Sequence, residues 1–191
     1  MRFLLVLLVA ALVAQAEPPE SVKKLLAAAQ AQIGVTKTYD PAYVVLEYPG
    51  GDVPEDRGVC SDVVVRAFRA LGLDLQKLVH EDMAKNFSKY PQRWDLKRPD
   101  KNIDHRRVPN LMKFFERQGK SRAVSKDPAA YQPGDLVTCI VPPNLPHIMI
   151  VSDVPSTADP SRMQIIHNIG AGAQIEDRLF DFEITGLYRY W

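Results

Sequence analysis

The chain has 191 residues, 46% hydrophobic and 25% charged, which suits one ordinary globular domain able to bury a core without disulfide staples. Its formal net charge of +1 gives no electrostatic case for nucleic acid or an anionic membrane surface as a partner. No internal repeat and no low-complexity segment interrupts it.

The first sixteen residues form a unit of their own. Arg2 precedes the apolar run from Phe3 to Val13, and Ala14-Gln15-Ala16 closes it. A basic start, a short apolar stretch and an Ala-x-Ala ending are the three parts of a secretory signal peptide, with cleavage expected after Ala16. The apolar run is short for a membrane span, and no cysteine follows the cut for lipid attachment. The remaining domain, residues 17 to 191, is expected to be soluble in the periplasm or secreted, with no stable membrane anchor.

Pro18-Pro19-Glu20-Ser21 introduces an amphipathic helix whose apolar positions are Val22, Leu25, Leu26, Ala29 and Ile33, with Gly34 as its stop. Tyr43 to Leu46 has the composition of a short strand, followed by the turn residues Pro49-Gly50-Gly51 and Val53-Pro54. A second helix begins near Cys60, carries Val64, Ala67, Phe68 and Leu71 on one face, and ends at Gly72. Asp74 to about Phe87 is expected to be helical, and a polar, proline-broken stretch follows. A further helix with Leu111, Phe114 and Phe115 on its apolar side stops at Gly119. After it the period changes: 136–141, 147–151 and 163–167 are short β-type runs between turns, and 186–191 is expected to be a last strand. Helices first and antiparallel strands afterwards predict an α+β domain, with helices packed on one side of a sheet.

Two cysteines remain in an exported chain, Cys60 and Cys139. A disulfide between them is one reading, since the compartment permits it. The context of Cys60 favours another. A thiol attacks as thiolate, and a helix start, with its unpaired N–H groups, favours negative charge. His147 opens one β-run and His167 closes the next. If those strands pair antiparallel, both imidazoles meet at one edge of the sheet. A helix-borne cysteine packed there completes a nucleophile, a base and an orienting group: Cys60, His147 and His167.

The string Tyr48-Pro49-Gly50-Gly51 followed by Gly58-Val59-Cys60-Ser61-Asp62 resembles the active-site region of NlpC/P60 cell-wall peptidases. Pro133-Gly134-Asp135-Leu136, then His147-Ile148-Met149-Ile150-Val151, then Ile165-Ile166-His167 resemble that family's later motifs, in its order. The chain is also similar to a narrower family of secreted bacterial proteins classed as a domain of unknown function. That second likeness rests on Gly58 to Val64, Val79 to Met83, Asn102 to Leu111 and His167-Asn168-Ile169-Gly170.

The resemblance implies a papain-like fold and a cysteine hydrolase acting on peptidoglycan stem peptides. It also implies that Tyr48, twelve positions before Cys60, helps shape the site and its oxyanion pocket. Val59 and Asp62 depart from the peptidase pattern, and the stretch at about 74–120 is a long insertion relative to the compact members. Within it His105, Arg106 and Arg107, together with Asp62, are expected to contact substrate, arginine being suited to bidentate carboxylate binding. No cofactor is implied. His80, Asp82, Asp104 and His105 match no zinc spacing, so no metal is expected. Two alternatives stay open: a non-catalytic binding module, and a cysteine acyltransferase. Nothing in the sequence sets the oligomeric state.

Overall fold

A computed structural model describes residues 18–191; the segment expected to be a signal peptide lies outside the described residues. Four helices, α1 (Glu20–Gln30), α2 (Cys60–Arg69), α3 (Leu75–Asn86) and α4 (Val108–Arg117), precede most of the sheet. Two-residue strands β1 (Thr38–Tyr39) and β2 (Arg57–Gly58) pair in parallel, apart from the rest. The main sheet holds β3 (Ser121–Arg122), β4 (Leu136–Val141), β5 (Leu145–Pro155), β6 (Met163–Asn168), β7 (Ala173–Glu176) and β8 (Glu183–Tyr188). Its order is β3-β8-β4-β5-β6-β7, and every pairing is antiparallel. This is a mixed α+β architecture.

Alternation along the strands sorts the core into two layers. Leu136, Ile148, Ile150 and Ile166 turn to the helices, where they join Leu25, Val64, Phe68 and Phe115 in the main cluster. Val137, Cys139, Met149, Val151 and Ile165 turn the other way, onto Tyr131, Leu179 and Leu187. The helices do occupy one side, as the pattern predicts. The opposite face is covered by the loops around Tyr131 and Phe180 rather than left to solvent.

Two expectations change. Tyr43 to Leu46 forms no strand: Val45 is 79% exposed, and Leu46 N–H is taken by the Asn102 side chain instead of a neighbouring strand. The last strand ends at Tyr188 and begins three residues earlier than expected, while the strand at Ala173–Glu176 has no counterpart in the sequence reading. The 74–120 stretch packs into the core. Leu75, Val79, Met83, Leu111, Phe114 and Phe115 are buried in the same cluster as the helix that carries Cys60. Among the described residues no helix is long and apolar enough to cross a membrane.

Candidate active site

Cys60 is the first residue of α2. The turn into it requires Gly58, whose φ is +153° and where an added Cβ would sit 2.9 Å from Asp62 Oδ2. That carboxylate accepts the Val59 N–H at 2.7 Å, satisfying one of the helix's unpaired donors. Valine offers no acceptor in return, so only half of a capping box is present. Asn168, at the end of β6, donates to the Gly58 carbonyl at 3.0 Å and ties the turn to the sheet.

The thiol lodges where the sheet opens. Val151 directs both its N–H and its carbonyl to the turn leading into β4, bonding Asp135 O and Gly134 N. By antiparallel alternation Met149 and His147 also face β4, whereas Ile150 and Ile148 face β6. The contiguous β5–β6 pairing that begins at Val151↔Ile165 ends at Ile150↔Ile166. Ile148 N–H is left on the opened flank, and the Cys60 sulfur accepts it, along with N–H groups of the first helical turn. A helix on one face thereby delivers its cysteine into a gap beside histidines on the other.

Those histidines form a relay. His147 Nε2 lies 2.9 Å from His167 Nδ1, with the rings edge-on at 5.0 Å between centroids. His167 Nε2 lies 2.6 Å from Glu176 Oε2. The carboxylate sets the direction of both bonds. Glu176 accepts, so His167 carries its proton on Nε2 and accepts at Nδ1. His147 must then donate from Nε2, which leaves its Nδ1 unprotonated. Nδ1 is the ring nitrogen nearer the backbone. Among the described residues no hydrogen bond joins thiol to imidazole; the sulfur's bonds go to backbone N–H groups.

Glu176 is the member that sequence reasoning missed. It sits on β7, where Gln174 pairs with His167 and Ile165 with Glu176. Its carboxylate therefore reaches the imidazole diagonally across the ladder. The available signal was the polar alternation Gln174-Ile175-Glu176 behind the Gly170-Ala171-Gly172 turn.

The thiol and both imidazoles of the site are favoured in their neutral forms. Burial pushes the Cys60 thiol up to about 11, with Ile148 and first-turn N–H groups pulling the other way. Burial, with help from His167 and Arg178, holds His147 down to about 3, and His167 is lowered by burial against the pull of Glu176. The helix start acts on the thiol in the expected direction, but desolvation wins. Cys60 is 3% exposed and His147 4%. Cys60 and Cys139 are free thiols, so the disulfide reading falls.

The residues expected to contact substrate have other duties. Asp62 and Arg106 are both buried and face each other in a two-pronged ion pair of 2.9 and 3.0 Å. The rest of the Arg106 guanidinium holds the carbonyls of Asp40 and Ala42. His105 is buried, and Arg107 stacks 4.1 Å over the Trp94 ring. Tyr48 packs edge-on against His80 at 5.3 Å. The tyrosine at the thiol is Tyr39, whose phenol is pushed up to about 12 by burial and by the neighbouring Cys60 and Asp62. Pairing of β1 with β2 puts Tyr39 beside Gly58, which is why it and not Tyr48 borders the site. Among the described residues no three His, Cys, Asp or Glu side chains gather as a metal group.

Fold and site together define an α+β domain with a helix-borne cysteine beside a His-His-Glu relay. Residues 26–190 match the domain of unknown function DUF1287, and the chain belongs to that family. It is 61% identical over 163 residues to the uncharacterized protein YijF of Escherichia coli (strain K12), covering 85% of this chain and 78% of that protein. No solved structure matches.

Proposed function

We propose that the protein is an exported cysteine hydrolase with a papain-like, NlpC/P60-type centre that cleaves an amide bond in peptidoglycan stem peptides. The observation that carries this reading is the Glu176–His167–His147 relay, which leaves His147 Nδ1 unprotonated, with the Cys60 sulfur held by the N–H of the next residue, Ile148. Cys60 attacks the carbonyl carbon as its proton passes to His147 Nδ1. The same proton then goes to the departing amine, and water releases the acyl group from sulfur. His167 and Glu176 hold the imidazole in its productive tautomer and stabilise the imidazolium that forms. The N–H groups around the sulfur supply donors for the developing oxyanion. Export is supported by the leader-like first sixteen residues, and the substrate class by resemblance to cell-wall peptidases.

The resting state is consistent with a proton moved within a water-poor centre, because thiol and imidazole are both neutral. Access is the remaining requirement. Tyr39 borders the sulfur, and a substrate carbonyl reaches it once Tyr39 yields. The burial of Cys60 also favours a second reading, a binding module that retained the residues without turnover. Purified peptidoglycan separates the two. The hydrolase releases soluble peptide fragments, and Cys60→Ala releases none. Failure of the wild type to release fragments, with binding to peptidoglycan unchanged in Cys60→Ala, overturns the hydrolase in favour of the module.

A further inference from the structure

A cavity of about 810 Å³ lies away from the thiol, between α3 and the 95–102 loop. That volume is in the range of small-ligand sites. His80 stands in its wall, and Lys97, Arg98 and Lys101 line it from the loop. Behind His80 is Asp104, fully buried, whose Oδ2 is 3.2 Å from His80 Nδ1 and also accepts the Asp100 N–H at 2.7 Å. A buried carboxylate accepting from Nδ1–H fixes the ring, so that its Nε2 is an acceptor and the cations of the loop are the groups suited to an anion.

The balance of charge in the wall is positive. Asp100 is already saturated: Oδ2 accepts from Tyr43 Oη at 3.0 Å, and Oδ1 accepts from Asn102 N and Nδ2. Asp95 is the other carboxylate lining the cavity. Lys97 and Arg98 have no partner among the described residues, and Lys101 lies 5.6 Å over the Tyr48 ring. Two buried polar atoms close behind this wall, Asp104 Oδ1 and Arg107 Nη1, also lack protein partners. The loop is held at a cost: Trp94 and Asp95 have φ of +62° and +53°, a region side chains avoid unless surroundings enforce it.

We propose that this cavity is an oxyanion-binding site taking a carboxylate or a phosphate group, with Lys97, Arg98 and Lys101 as its cations. It is separate from the cysteine centre. The short 104–106 turn stands between them, presenting Asp104 to His80 and Arg106 to Asp62. The proposal therefore stands whether or not Cys60 is a nucleophile.

The test titrates the purified protein with inorganic phosphate in one arm and glutarate in the other, at constant ionic strength, following backbone amides by NMR. Saturable shifts at His80 and residues 96–101, with Kd of about 1 mM or tighter, are expected in at least one arm. Phosphate alone, glutarate alone, or both identifies the chemistry recognised. The double variant Lys97→Ala/Arg98→Ala, both exposed and dispensable for packing, is expected to weaken binding at least about tenfold. Cys60→Ala leaves it unchanged. The proposal is overturned if neither anion gives saturable shifts at tens of millimolar, or if the double variant binds as tightly as wild type.

Discussion

Asp62 and Arg106, 44 residues apart in the chain, are matched through two parallel hydrogen bonds in a place where neither meets solvent. Asp62 lies on the helix that carries Cys60 and Arg106 in the 104–106 turn, so the pair joins two distant parts of the chain. The pair also organises the approach to the thiol. Asp62 caps the turn before Cys60, and Arg106 grips the carbonyls of Asp40 and Ala42 beside Tyr39. Removing one partner leaves a buried charge uncompensated, which costs about 3–5 kcal/mol. Arg106→Ala is therefore expected to lower unfolding free energy by that amount in urea titration. Arg107→Ala, half-buried on Trp94, is expected to cost about 1 kcal/mol. Equal losses at the two arginines would show that the ion pair has no special structural role.

Glu176 tests the relay without touching the thiol. Glu176→Gln keeps the size of the side chain, but its amide can present an N–H₂ group to His167 and reverse both tautomers. His147 Nδ1 would then carry the proton that it must lack to serve as a base. Fragment release is expected to fall roughly 100-fold, within the ordinary range for losing a positioned base. Binding of peptidoglycan and the unfolding midpoint should hardly move, because the Glu176 side chain is 31% exposed. A fall in both stability and binding would reduce Glu176 to a packing residue.

The thiol itself makes a pH prediction. With Cys60 pushed up to about 11 by burial, the thiolate fraction in the resting protein is small at neutral pH. Alkylation by iodoacetamide, with the site mapped by mass spectrometry, is expected to be slow at pH 7 and to keep rising beyond pH 9. A reactivity plateau already reached at pH 6–7 would mean a preformed thiolate–imidazolium pair, contrary to this resting state. Cys139, pushed to about 12 inside the far cluster, should stay unlabelled throughout in the native protein.

What could be read from the sequence is what one strand or helix states about itself. The apolar spacing of Val22, Leu25, Leu26 and Ala29, and the stops at Gly34, Gly72 and Gly119, marked the helices. All three glycines adopt the left-handed φ that ends one. The meeting of His147 with His167 followed from assuming adjacent antiparallel strands. Other features depend on partners distant in sequence and left no local mark. Tyr43 to Leu46 has strand composition, but the chain supplies it with the Asn102 side chain in place of a neighbouring strand, and Arg106 holds Asp40 and Ala42 just before it. Glu176 matters only because β7 pairs with β6 in one register. Arginines that look like substrate ligands in a basic loop were claimed by Asp62 and Trp94.

Acid should destabilise the fold through its buried histidines. His147 is held down to about 3, His105 down to about 4, chiefly by burial, and His167 is lowered as well. An unfolded chain protonates these rings near pH 6.5, whereas the folded chain refuses the protons until the lower values. Stability conferred by neutral burial is thus complete above about pH 6.5 and declines as pH falls toward 3. Each withheld proton contributes a slope of up to about 1.4 kcal/mol per pH unit. Asp104 works in the opposite sense: raised to about 6 by burial, it holds a proton in the folded state that the unfolded chain has lost between pH 6 and 4. Three histidines outweigh one carboxyl, so urea titrations at pH 7, 5.5 and 4.5 should show steadily falling unfolding free energy. His105→Asn, which removes one buried ring whose Nδ1 has no protein partner, should flatten that decline. A pH-independent free energy over this interval would mean that the histidines are solvated in the native state, and the relay that depends on their burial would lose its basis.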